Sequence, residues 1–279
     1  MNYWLRKGPD LLRHIDETVV PSNAIALWYL GLEGYVLKVN QTILYVDPYL
    51  RAAGDQPGAS QRQYEPPFHG GDVHHADWVL CTHHHRDHLD PETLGPLSAA
   101  SPAARFLIPA PSVQLCIDIG IAATRITPAR AGQTVDIAGF RVTSIPAAHV
   151  ALETDARGDH RYLGYVIDTG IVTVYHAGDT VDFPELPALL RPHRIDIALL
   201  PINGNDRHRN EHNIVGNLDF REAVDLAVDI GAKMVIPMHY DLLPGNQTNP
   251  AYFVDYLYHN YPSQPYRMLA LGECLVQHR

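Results

Sequence analysis

The chain has 279 residues, 46% of them hydrophobic and 19% charged, a globular balance that excludes a disordered or fibrous protein. Its 21 Lys and Arg against 31 Asp and Glu leave a net charge of −10 with no long basic block, which argues against nucleic acid as a partner. Cys81, Cys116 and Cys274 are an odd number of cysteines in a long chain, so the expectation is free thiols in a reducing, cytoplasmic compartment.

In chain order, residues 1–22 read as a helical lead-in, with Pro9 near a helix start and Pro21 closing the segment. This stretch lacks the continuous apolar core of a secretory signal. Three strands follow: AIALWYL (24–30), EGYVLKV (33–39) and QTILYVD (41–47), the last ending on Asp47. Residues 51–72 are rich in Gly, Pro and polar side chains and read as a long loop, of a length that is more often functional than idle. ADWVLCT (76–82) has the pattern of a buried strand, with a histidine cluster at its C-terminal end. A helix is predicted over about 110–119 and a strand over FRVTSIPA (140–147). YLGYVID (162–168) and IVTVYHA (171–177) predict a hairpin around Thr169-Gly170. RIDIALLP (194–201) and KMVIP (233–237) predict strands. DFREAVDLAVDIG (219–231) has apolar residues at helical spacing and stops at Gly231, and 249–260 predicts the last long helix. No run of about 18 apolar residues is present, so no membrane-spanning helix is expected. No repeat or clean linker divides the chain, so residues 1–279 are read as a single domain.

An opening run of strands followed by alternating strands and helices predicts an α/β protein with sheets covered by helices. Asp47, His83 to His88, His149, Asp179 and His239 all come just after predicted strands. Active sites of layered α/β folds gather at that edge, so five segments are expected to converge.

Within the cluster, residues 83–88 form the pattern His-x-His-x-Asp-His, four imidazoles and one carboxylate in six residues. So many polar groups cannot be buried without partners. Neutral imidazole and carboxylate suit Zn²⁺, Mn²⁺ or Fe²⁺, and with donors elsewhere the supply exceeds the needs of one ion. The competing explanation is a solvated histidine tract that binds metal adventitiously. Singly, His149 would be an ordinary hydrogen-bonded histidine, Asp179 a turn or N-cap residue, and His239 the end of a buried strand. Their combination in this order outweighs those readings.

In these residues, and along the chain from about residue 24, the sequence resembles the metallo-β-lactamase fold hydrolases. LWYLGLEGYVLK (27–38), YVDPYL (45–50), CTHHHRDHLDPETL (81–94), HAGDT (176–180), LLPINGND (199–206) and MVIPMHYD (234–241) are most similar to the L-ascorbate-6-phosphate lactonase-like branch. The resemblance implies a four-layer αβ/βα sandwich, two mixed sheets flanked by helices. It implies one metal held by His83, His85 and His149, a second by Asp87, His88 and His239, and Asp179 bridging both. The ions would be divalent, zinc or manganese foremost, with iron also admitted. His84 and Arg86 fill the variable positions. Asp47 and His176 are candidates to orient ligand imidazoles, against the alternative of ordinary turn residues. His149 is a departure, because lactonases of that branch need not keep a histidine there. It strengthens the two-metal reading and weakens the specific substrate.

The implied activity is opening of a small polar lactone or ester, sugar-phosphate lactones included, by a hydroxide bridging two metals whose binding lowers the pKa of water to about 7. Asp87 would orient the hydroxide. Tyr240, Asn203 and Asn205 are candidate oxyanion donors, against a packing role for Tyr240 and a simple turn at Asn203-Gly204-Asn205. The 51–72 loop and NDRHRNEHNIVGN (205–217) are expected at the mouth, where Arg207 and Arg209 could meet a phosphate or carboxylate, against an ordinary solvated loop. The alternatives are a phosphodiesterase of small-molecule or phospholipid diesters and a non-catalytic metal-binding protein of the same fold. The expected partner is a small-molecule substrate, without nucleic acid or membrane; a homo-oligomer is left open.

Overall fold

The computed structural model describes residues 3–54, 62–212 and 214–279. In chain order its elements are α1 (Gly8–Glu17), β1 (Ala24–Gly31), β2 (Gly34–Val39), β3 (Thr42–Val46), β4 (Trp78–Leu80), α2 (Pro91–Ala100), β5 (Arg105–Pro109), α3 (Val113–Asp118) and β6 (Ile126–Ala129). They continue with β7 (Thr134–Ile137), β8 (Phe140–Pro146), β9 (Leu163–Asp168), β10 (Thr173–His176), α4 (Leu186–Leu190), β11 (Ile197–Pro201), α5 (Arg207–Glu211), α6 (Phe220–Asp229), β12 (Met234–Met238), α7 (Ala251–Asn260) and β13 (Cys274–His278). By contacts the chain divides into two compact units, Met1–Ala129 with Leu269–Arg279, and Arg130–Met268.

The first unit is built on a mixed sheet of seven strands among the described residues, in the order β13-β1-β2-β3-β4-β5-β6. The β13, β1, β2 and β3 pairings are antiparallel, and β3 through β6 run parallel. β1 and β2 are buried at every position, which explains their nearly unbroken apolar sequence. Leu11 and Ile15 of α1, Leu94 and Leu97 of α2, and Cys116 of α3 join Trp28, Tyr45, Val79 and Phe106 in one apolar cluster. Burial of each large aliphatic is worth about 1.5–3 kcal/mol, enough to hold a short amphipathic helix on a sheet. Lys38 of β2, buried, donates Nζ to the carbonyls of Ile15 (3.0 Å) and Asp16 (2.6 Å), satisfying the exposed end of α1.

The second unit carries a mixed sheet of six strands among the described residues, β12-β11-β10-β9-β8-β7. β7 to β10 form an antiparallel meander, and β10, β11 and β12 are parallel. The β11 to β12 crossover runs through α5 and α6. Asp219 caps α6 by accepting from the N–H groups of Arg221 (2.7 Å) and Glu222 (2.9 Å), and Glu222 accepts in return from the Asp219 N–H. The apolar face of α6, Ala223, Val224, Leu226 and Ala227, is buried.

Two mixed sheets flanked by helices are the expected α/β class. The lead-in narrows to α1, and the helix expected over 110–119 to α3. Prediction missed α2, β5, β6, β7, α4, α5 and β13. Pro91, Gly95 and Pro96 disguise α2; Pro91 stands at the start, where no N–H is needed, and burial of Leu94 and Leu97 offsets the rest. Residues 55–61 of the expected 51–72 loop lie outside the described residues. No helix among the described residues is long and apolar enough to cross a membrane.

Candidate metal centre

In the first unit the chemistry begins where β3 and β4 end side by side. Asp47, fully buried, accepts the Thr82 N–H at Oδ1 (2.8 Å) and the Thr82 hydroxyl at Oδ2 (2.6 Å). Its Oδ2 also lies 2.7 Å from His88 Nδ1. That contact keeps the proton on Nδ1 and turns the lone pair of Nε2 away from Asp47. Thr82 Oγ1, having donated to Asp47, can accept from His83 Nδ1 at 3.1 Å, so His83 likewise offers Nε2.

These orientations gather the motif's donors. His83 Nε2 is 3.0 Å from His85 Nδ1, near the ~3.3 Å expected of two nitrogens bound at 2.0–2.1 Å to one tetrahedral ion. Asp87 Oδ2 is 3.7 Å from His88 Nε2, and the rings of His83 and His88 are 4.0 Å apart. His83 and His88 are buried, His84, His85 and Asp87 half-buried, and Arg86 exposed. Glu33, which sequence reasoning passed over, is also fully buried, with Oε2 3.6 Å from His88 Nδ1. Its signal was present: a glutamate inside an apolar run is seldom fully buried unless partnered.

In the second unit three loops at the ends of β8, β10 and β12 supply His149, Asp179 and His239, all buried. Asp179 Oδ2 is 3.5 Å from His149 Nε2, and its Oδ1 is 3.7 Å from His239 Nε2. Both separations are long for hydrogen bonds, and each oxygen faces a different imidazole. Thr180 braces the loops: its hydroxyl accepts from the Ala148 N–H (3.1 Å), and its carbonyl accepts from the Leu218 N–H (2.8 Å). His176 Nδ1 accepts the Gly178 N–H at 3.2 Å, so this histidine shapes the turn that presents Asp179.

Backbone strain collects at the same places. Of seven non-glycine residues with positive φ among the described residues, Asp47 and His239 are themselves site residues, Val150 follows His149 and Leu32 precedes Glu33. Each such conformation costs of order 1–3 kcal/mol and persists only where the surroundings enforce it.

The remaining candidates divide. Tyr240 is buried and follows His239 directly, with its carbonyl accepting from Thr248 N–H at 3.0 Å. Asn203 is buried, donating Nδ2 to Asn246 Oδ1 (2.9 Å) and accepting at Oδ1 from Asn217 (3.1 Å), while Asn205 is exposed. The 205–217 segment is partly helical, as α5, and its residue 213 lies outside the described residues. Arg207 is exposed and bonded to Glu211 at 2.6 Å. Arg209 is buried, its guanidinium committed to Asp206, to Asn246 Oδ1 (3.0 Å) and to the Gln247 carbonyl (2.8 Å). The two arginines therefore form no anion-binding pair: one is a loop brace and the other a surface ion pair. Near the first unit's donors, burial pushes the Tyr49 hydroxyl up; Arg62 opposes the shift, and Asp90 and Asp87 add to it.

The comparisons with known proteins agree with this chemistry. Residues 42–240 match the family described as Beta-lactamase superfamily domain. A UPF0173 metal-dependent hydrolase of Methanoculleus marisnigri is 33% identical over 232 residues, covering 80% of this chain and 84% of that protein. Among solved structures, Igni18, a metallo hydrolase of Ignicoccus hospitalis, superposes with a TM-score of 0.68 at 20% identity, covering 92% of this chain and 99% of that one. CmlA, a diiron β-hydroxylase of Streptomyces venezuelae, superposes with a TM-score of 0.68 at 17% identity, covering 93% of this chain and 55% of CmlA. At these identities the two structures speak to the fold alone.

Proposed function

The chain belongs to the beta-lactamase superfamily, and from that premise we propose that it is a metal-dependent hydrolase that opens a small polar lactone or ester, sugar-phosphate lactones included. The observation that carries the reading is Asp179, one buried carboxylate with each oxygen turned to a different histidine. Multiple His and Asp groups here could bind metal ions. In this reading His83, His85, Asp87 and His88 of the first unit, and His149, Asp179 and His239 of the second, are the side chains that would hold divalent ions. The donor set fits: imidazole and carboxylate suit zinc, manganese and iron alike, and Asp47 and Thr82 already orient His88 and His83 for coordination.

When bound, such ions lower the pKa of water to about 7 and polarise the carbonyl under attack. The protein's own part is placement. Asp87, half-buried and reachable by water, accepts a hydrogen bond from the attacking water and aims it. Tyr240 would donate to the oxygen on which charge develops, and Asn203, fixed by Asn217 and Asn246, keeps a second amide N–H that could do the same.

The test is metal content of untagged protein purified without added metal, together with hydrolysis of a panel: a sugar lactone, a sugar-phosphate lactone, an acyl-homoserine lactone and a bis-aryl phosphodiester. Two ions per chain and preference for a lactone are expected, with hydrolysis abolished in a folded Asp179→Ala variant. Preference for the phosphodiester overturns the substrate class. Absence of metal, with no hydrolysis after Mn²⁺ or Zn²⁺ is supplied, overturns the enzyme.

A further inference from the structure

Glu33 lies in the short connection between β1 and β2, in a turn whose geometry accompanies its burial. Gly31 has φ +88° and Leu32 φ +55°, the latter a conformation that a leucine adopts only under constraint. The Tyr29 hydroxyl donates to the Leu32 carbonyl at 3.3 Å and holds the turn. Gly34 lets it seat: a Cβ there would lie 3.2 Å from Leu30 Cβ, 3.3 Å from the Gly31 carbonyl oxygen and 3.4 Å from that of Asp47. The outcome is a carboxylate with 0% exposure whose Oε2 is 3.6 Å from His88 Nδ1. Glu33, Asp47 and His88 form a fully buried group whose ligating atoms lie within 4.8 Å of one another.

Asp47 already holds His88 Nδ1 at 2.7 Å, so the orientation of the ring does not need Glu33. At 3.6 Å Glu33 is beyond a normal hydrogen bond but well within electrostatic reach in a buried setting. What it adds is negative charge behind the imidazole. Desolvating two carboxylates at one place is unfavourable unless positive charge offsets it, and a divalent ion held by His88 would supply that charge.

We propose that Glu33 is a positioning residue for metal binding: with Asp47 it forms an anionic pair behind His88 that strengthens His88 as a ligand and sets the affinity of the ion that His88 holds. This rests on the metal reading given above. Glu33→Gln keeps the shape and removes the charge. Wild type and variant are titrated with Zn²⁺ by calorimetry and assayed for retained metal after dialysis against graded chelator, and the melting temperatures of both metal-free proteins are recorded. The wild type is expected to retain two ions. Glu33→Gln is expected to retain one and to bind the other about 10–100-fold more weakly. Its metal-free form should melt no lower than the wild type, because a neutral amide is easier to bury than a carboxylate. Glu33→Asp, which keeps the charge, is expected to recover most of the lost affinity. Two ions at wild-type affinity in Glu33→Gln overturn the proposal. So does equal weakening of both ions with a lower metal-free melting temperature, the mark of a merely structural role. A wild type that binds no zinc would instead defeat the metal reading itself.

Discussion

Asp47 is the residue on which most of the first unit's site geometry hangs. It stands in a left-handed backbone conformation at the end of β3, and its two oxygens engage the Thr82 N–H, the Thr82 hydroxyl and His88 Nδ1. Truncation leaves a buried N–H without its acceptor, a loss of about 1–3 kcal/mol, and frees the His88 ring to rotate. Asp47→Ala should therefore bind metal about 10–100-fold more weakly and unfold at lower urea concentration, as read by chelator competition and by circular dichroism. Wild-type metal affinity in that variant would show that the ring is held by something else. The cysteines play no comparable part: all three are free, and burial pushes the thiols of Cys116 up to about 12 and Cys274 up to about 11, leaving them protonated near neutrality.

At the scale of elements, the second unit's site depends on how closely β9 and β10 pack. Gly164 of β9 pairs with Ile145 of β8, and a Cβ at Gly164 would lie 2.8 Å from the Ala177 carbonyl oxygen and 2.9 Å from that of His176. Those are backbone atoms at the end of β10, two and three residues before Asp179, and they cannot move aside as a flexible side chain would. Gly164→Ala should displace this strand end at a cost of about 1–3 kcal/mol in stability, seen in thermal or urea unfolding, and should weaken hydrolysis more than unfolding alone explains. Unchanged stability would mean that the strand end yields freely. α6 shows an element whose placement was legible in advance, because its apolar spacing and its Gly231 stop are local signals, to which the structure adds the Asp219 cap. β13 shows the opposite, since CLVQH becomes a strand only by pairing with β1, some 250 residues earlier in the chain.

For the molecule as a whole, the notable quantity is buried negative charge in a chain already at net −10. Glu33, Asp47 and Asp179 are each 4% exposed or less. If divalent cations balance them, removing the ions should destabilise the protein by mass action, about 2.7 kcal/mol for ligand at 100 times its dissociation constant. At roughly 2–4 °C per kcal/mol for a chain of this order of size, exhaustive chelation should lower the melting temperature by about 5–10 °C, and Zn²⁺ or Mn²⁺ should restore it. An unchanged melting temperature would place the carboxylates outside any metal site.

The sequence by itself determined the strongly apolar strands, α6 and the ligand motif at residues 83–88, because each is written in residues close together in the chain, and the superfamily through the order in which short local motifs recur from residue 27 to residue 241. Tertiary structure alone decided the rest. It turned Glu33 inward on a strained β1–β2 connection, and it spent Arg209 on Asp206, Asn246 and Gln247 instead of an anion. It also made a helix of a segment containing Gly95 and Pro96. The reason is common to all three: burial and long-range packing assign a side chain its partners, and where they outweigh local propensity, no short window of sequence can reveal the result.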